Sequence, residues 1–117
     1  MTDEMLFDWN GTEIRFSDWA DNEYGVYTYQ TRDQRYEFEF DLKPVGREVR
    51  IHIKRQPPYG RRRSDGHSTH RFGVDTAQPY ICIKSDLAPT TVPEALSWAV
   101  FWAEQTAQYI DTGRSFS

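Results

Sequence analysis

The segment Tyr36-Glu37-Phe38-Glu39-Phe40-Asp41-Leu42 alternates without a break between large apolar and acidic side chains. Successive side chains of an extended strand point to opposite faces, so this pattern specifies a strand with one buried and one wetted face. Further on, Val49, Ile51 and Ile53 alternate with Arg50, His52 and Lys54. With Pro44 and Gly46 as turn residues between them, the two runs predict an antiparallel hairpin. Placing Leu42 opposite Val49 sets Phe40 against Ile51 and Phe38 against Ile53. The same register sets Asp41, Glu39 and Glu37 against Arg50, His52 and Lys54, a charge ladder worth about 0.2–1 kcal/mol per pair.

Other elements follow from local chemistry. Asn10-Gly11 is a two-residue turn signal, because a type I′ turn needs positive φ at both central positions. It predicts a hairpin pairing Trp9 with Thr12, Phe7 with Ile14 and Met5 with Phe16. A polar stretch holding Trp19 reads as a loop. Gly25–Gln30 then pairs with Arg35–Leu42 through residues 31–34. Short strands are expected over Thr69–Val74 and Pro79–Lys84, with Ile81 and Ile83 on one side and Tyr80 and Cys82 on the other. Thr91-Val92-Pro93-Glu94 matches a capping box with proline in the first turn. The helix it opens runs to about Asp111, where Gly113 is placed to stop it in the left-handed conformation. Val92, Ala95, Leu96, Ala99, Trp102, Ala103, Thr106 and Ile110 form its buried stripe. Trp98 and Phe101 lie on the opposite face, beside polar residues, and need a cover. Either the Trp19 loop or a second copy of the chain supplies it, the latter making this face a homodimer interface. The expected fold is α+β: one domain over residues 1–117, an antiparallel sheet of about six or seven strands, and one C-terminal helix packed on a face.

Composition narrows the classes. At 117 residues and 15% aromatic, the chain fits one domain with a real core and is unlike a disordered sequence. It has no apolar run of about 18 residues for a membrane span. Asp3, Glu4 and Asp8 stand where a secretory signal would need basic and then apolar residues. The single cysteine, Cys82, excludes an internal disulfide framework and fits a reducing compartment, with the cytoplasm as the expected location. Cys82 itself reads as an inert core thiol. Tyr24, Tyr27, Tyr29, Trp9 and Trp19 offer an aromatic platform for a sugar or a peptide, with core packing the plainer account.

The net charge of −4 hides a strong asymmetry. Residues 1–46 carry a local net of −7, residues 47–71 a net of +6, and the remainder −3. The hairpin ladder explains part of this. It does not explain the loop over residues 55–71, in which Pro57, Pro58, Gly60 and Gly66 deny helix and ladder alike. That loop holds Arg61, Arg62 and Arg63, with Arg71 following. Three adjacent guanidiniums repel one another, and each presents a forked donor that suits phosphate or carboxylate. Tyr59 and His67 add stacking surface if the anion is a nucleic acid. The leading expectation is a non-catalytic binding protein whose arginine loop engages an anionic partner, an acidic protein or a nucleic acid. Four phosphate contacts would give a log–log salt slope of about −3 to −4. Solvated charges serving solubility are the plainer account, and a pI of about 5.3 disfavours a long duplex.

The alternative is a small hydrolase or nuclease-like enzyme using Asp65, His67 and His70 beside the arginines, which would stabilise a developing anion. It requires the two imidazoles to converge in a cleft. Neither a cysteine pair nor a second carboxylate–histidine group lies near this H-x-x-H spacing, so no metal is expected. No cofactor motif is present: there is no phosphate-cradling glycine pattern and no dinucleotide fingerprint.

Overall fold

A computed structural model of the chain describes Leu6–Phe7, Glu13–Ile14 and residues 24–114. The strands are β1 (Leu6–Phe7), β2 (Glu13–Ile14), β3 (Gly25–Gln30), β4 (Glu37–Val45), β5 (Glu48–Arg55), β6 (Arg71–Phe72) and β7 (Tyr80–Ile81). Among the described residues two helices accompany them, α1 (Gly66–Thr69) and α2 (Val92–Thr112), with one 3-10 turn at Ser85–Leu87. The architecture is α+β. One antiparallel sheet runs in the order β3-β4-β5-β7-β6, and β1 and β2 form a separate ladder. The main sheet therefore has five strands rather than the six or seven expected.

Phe38, Phe40 and Leu42 of β4, with Val49, Ile51 and Ile53 of β5, form the floor of the core, all buried. Tyr27 and Tyr29 of β3 and Ile81 of β7 extend it to either side. α2 covers that floor. Ala95, Ala99 and Ala103 are fully buried, and their small side chains let the helix backbone approach the sheet. Trp102 fills the space this leaves. Its ring meets the parallel rings of Phe38 and Phe40 edge-on, at 5.9 and 6.1 Å. The buried stripe is wider than its spacing implied, taking in Val100, Ala107 and Tyr109, whereas Ile110 is only half-buried.

The helix ends form as local chemistry dictates. The Thr91 side chain accepts from the Glu94 amide, and Gly113 closes the helix at φ 76°, its N–H donating to the Tyr109 carbonyl. The box departs in one detail: the Glu94 carboxylate accepts from the Thr90 amide at 3.1 Å, one residue before the cap.

Two registers differ from expectation. β4 and β5 pair Leu42 with Ile51, Phe40 with Ile53 and Pro44 with Val49, a slide of two residues. The connection is the tight Gly46-Arg47 turn, with Gly46 at φ 62°, so both strands run on past Pro44. Pro44 is tolerated because it lies beyond the last β3 pair, Gly25–Leu42. An even slide keeps every side chain on its face, so the core survives. The charge ladder does not. Asp41 now faces His52, Lys43 faces Arg50, and a bulge at Glu39/Phe40 brings Arg55 to Glu39. Arg55 pairs with Glu37 and, at 3.4 Å, with Glu39. The β1–β2 ladder pairs Leu6 with Ile14 and Phe7 with Glu13, one residue off the expected Phe7–Ile14. Those partners are an even number of residues apart, and a two-residue turn joins partners an odd number apart. Asn10-Gly11 itself lies outside the described residues.

The two-residue strands β6 and β7 are shorter than expected; α1 and its His70 cap take the start of the first segment, and a turn at Val74–Asp75 takes its end. Among the described residues, no helix is long and apolar enough to cross a membrane.

Candidate functional site

The arginine loop leaves β5 at Arg55 and is drawn inward at Tyr59, which is only 9% exposed. The Tyr59 ring meets Tyr109 of α2 edge-on at 6.0 Å, and the Arg71 guanidinium lies 5.0 Å from its centroid. Burial pushes the Tyr59 hydroxyl pKa up. Gly60, at φ 63°, lets the chain reverse, and the Arg62 amide donates back to the Tyr59 carbonyl at 3.1 Å.

The three arginines then divide. Arg62 turns inward and is half-buried, its Nε donating to the Ile110 carbonyl (3.1 Å) and its Nη2 to the Asp111 carbonyl (3.2 Å). These are orphan carbonyls at the negative end of α2, where a cation is favoured. A Cβ on Gly113 would lie 2.9 Å from the Arg62 guanidinium, so glycine there serves both the turn and this approach. The Arg63 side chain is 82% exposed, with Nε 3.3 Å from Asp65, while its backbone carbonyl accepts from the Tyr109 hydroxyl at 2.8 Å. Arg61 is exposed and makes no hydrogen bond or ion pair with a described residue. The expected cluster of three outward guanidiniums is thus a pair, Arg61 and Arg63, on either side of a structural Arg62.

Arg71 is also structural. It donates to Thr69 Oγ1 (2.9 Å), Gln56 Oε1 (3.3 Å) and the Ser64 carbonyl (2.8 Å), bracing the two ends of the loop together. Where an irregular loop was expected, Gly66–Thr69 forms one helical turn. Asp65 caps it, Oδ2 accepting from the Ser68 amide at 3.1 Å. The Asp65-x-x-Ser68 spacing carries that signal, since aspartate favours caps over helix interiors. Thr69 is fully buried and its carbonyl accepts the Trp102 indole N–H at 3.0 Å, joining the loop to the main core.

His67 and His70 line one cleft of about 360 Å³ with Arg71, Phe72 and Cys82. His70 is the left-handed C-cap of α1, at φ 53°. Burial, then the neighbouring His67, lowers its pKa. Burial raises that of the Cys82 thiol, which disfavours the nucleophilic thiolate. The third residue of the catalytic alternative, Asp65, has its carboxylate committed to the α1 cap and to Arg63. Among the described residues, no group of three or more His, Cys, Asp or Glu side chains is arranged to hold a metal ion.

Trp98 and Phe101 are half-buried, edge-to-face at 6.2 Å, and Trp98 packs against the core. β1 lies beside α2, so the helix is covered by more than the main sheet. The Trp19 loop lies outside the described residues.

The carboxylates around α2 and the loop fix how acid acts. The Tyr36 hydroxyl and Arg35 hold the Asp111 carboxyl below its usual pKa. Ser68 does so for Asp65, Thr90 for Glu94 and Thr31 for Asp33. A lowered folded-state pKa means the unfolded chain binds protons first on acidification. The contribution is full above the unfolded value of about 4 and is lost as pH falls through the folded one. His70 adds a similar loss below its unfolded value of about 6.5, since its folded pKa is also lowered. The melting temperature, followed by circular dichroism, is therefore expected to dip slightly near pH 6 and fall steeply below pH 4. A rise between pH 5 and pH 3 would contradict these assignments.

No protein-family model, curated protein or solved structure matches the chain.

Proposed function

We propose that the chain is a non-catalytic binding protein that engages an anionic partner through Arg61 and Arg63, with His67 at the edge of the contact. The observation that carries this is the way the loop is held. Arg62, Arg71, the Tyr109 hydroxyl and the Asp65 cap fix its backbone at four points between Tyr59 and Thr69. Charges kept for solubility need no fixed backbone. A guanidinium pair on a pre-organised loop loses less entropy on meeting a phosphate or carboxylate. Arg63 is the exposed partner of its contact with the half-buried Asp65, and its guanidinium keeps donors free for an outside anion. The commitment of Asp65 favours binding over the hydrolase alternative. A reducing compartment such as the cytoplasm suits the free Cys82 thiol.

Retention on a heparin column tests this, with an Arg61→Ala/Arg63→Ala double variant as comparison. The full chain should be retained and the variant should elute at clearly lower salt. Exposed substitutions of this kind change stability by about 0.5 kcal/mol or less, so the melting temperature should move by no more than about 3 °C. Equal elution of the two proteins, or a large fall in melting temperature, would refute the proposal.

A further inference from the structure

The sheet face turned away from α2 carries a second group of aromatic and cationic side chains, outside the core cluster. Tyr80 and Phe72 are register partners on β7 and β6, with ring centroids 5.5 Å apart. Because Ile81 is buried in the core, its neighbour Tyr80 lies on the outer face. His52, the β5 partner of Tyr80, places its ring 5.5 Å away, and the Arg50 guanidinium lies 4.3 Å from the Tyr80 centroid. Phe72 is 48% exposed on a strand of only two residues, so its ring adds little to the core.

The charge on this face is equally uneconomical for folding. Arg50 faces Lys43 across the ladder, and like charges directly opposite are destabilising. Apart from Glu48 of β5, the acidic residues of the face lie on β4 and have their own cations: Arg55 for Glu37 and Glu39, and Lys43 for Asp41 at 3.6 Å. Toward β7 and β6 the face is cationic and aromatic, with Glu48 the acidic side chain at its rim.

Phe72 links this platform to the segment that follows the three arginines. Phe72 is a wall shared by two clefts. One, of about 160 Å³, also holds Arg50 and Tyr80, and the other is the histidine cleft. The latter reaches Gly66 at the start of α1, next to Asp65 and its partner Arg63. We infer that the anionic partner is a single-stranded nucleic acid, with bases stacked on Phe72 and Tyr80 and phosphates met by Arg50 at one end and Arg61 and Arg63 at the other. This inference rests on the anion-binding role proposed above. The exposed Phe72 ring, with the half-buried Tyr80 beside it, is reached by unpaired bases, whereas a duplex keeps its base faces stacked. An acidic polypeptide would use the cations and have no need of the rings.

Fluorescence anisotropy of labelled oligouridylate and oligothymidylate, a DNA duplex and a poly-glutamate peptide, each titrated with the full chain, tests the inference. Either single strand should bind at least about tenfold more tightly than the duplex, with a log–log salt slope of about −2 for three phosphate contacts. Phe72→Ala should weaken single-strand binding about tenfold, and Arg50→Ala should also weaken it, both with melting temperatures within about 5 °C of wild type. If Arg61→Ala/Arg63→Ala weakens single-strand binding but Phe72→Ala and Arg50→Ala do not, the platform falls and the anion-binding loop stands. Binding of poly-glutamate alone would likewise overturn the platform and leave the loop standing. If none of the four probes binds, both fall.

Discussion

Trp102→Ala is expected to lower the free energy of unfolding by about 3–5 kcal/mol, much of the stability a chain of this size has. The indole is 3% exposed and is the largest group between α2 and the two stacked phenylalanines. Its neighbours on the helix, Ala99 and Ala103, are too small to collapse into the space it would leave. Alanine also strips the Thr69 carbonyl of its indole donor. Trp102→Phe separates the two contributions, because it retains most of the ring but not the N–H. An unpaired buried carbonyl costs about 1–3 kcal/mol, so the phenylalanine variant should fall between wild type and alanine. Urea unfolding followed by far-ultraviolet circular dichroism measures all three. A loss below about 1 kcal/mol for alanine would mean that the helix is not anchored here.

Arg71→Ala is expected to cost about 2–3 kcal/mol. One side chain is lost, but three acceptors and the face of Tyr59 lose their partner together. Lysine should restore less than half of that, because an ammonium group cannot span Thr69, Gln56 and Ser64 as a planar fork does. The same variant should open the loop, so trypsin should cut after Arg61, Arg62 and Arg63 faster than in wild type. Unchanged urea and trypsin profiles would show that Arg71 does not brace the loop.

How much of the fold is legible in the sequence depends on the range of each interaction. α2 is readable from end to end because Thr91, Pro93, Glu94 and Gly113 act on residues within four positions. The faces of β4 and β5 are readable for the same reason, since alternation is local. Their register is not, because a two-residue slide leaves Phe38, Phe40, Leu42, Val49, Ile51 and Ile53 all inward. Only the Gly46-Arg47 turn decides between the two alignments, and Pro44 draws the expected turn too early. The short helix at Asp65 escapes a sequence reading although its cap is local, because the flanking glycine and the charge run suggest irregular chain.

The candidate site shows the same division more sharply. In the sequence Arg61, Arg62, Arg63 and Arg71 look alike as outward cations. Two of them are structural, and nothing nearby in the chain distinguishes them: Arg62 finds carbonyls 48 and 49 residues away. Tyr59, expected as an exposed stacking surface, is held inside by Arg71 and Tyr109 in the same non-local way. The outer-face group of Arg50, His52, Phe72 and Tyr80 is invisible in the sequence, since it forms only once β7 inserts between β5 and β6.

A guanidinium pair presented on a backbone already fixed in the free chain is the claim on which the function rests. Amide hydrogen exchange of the unliganded protein tests it most directly, at Arg62, Ser68 and Thr69, whose N–H groups donate within the loop and α1. The account predicts exchange slowed by about a hundredfold or more relative to an unstructured chain. Exchange of all three amides at the unstructured rate would contradict it.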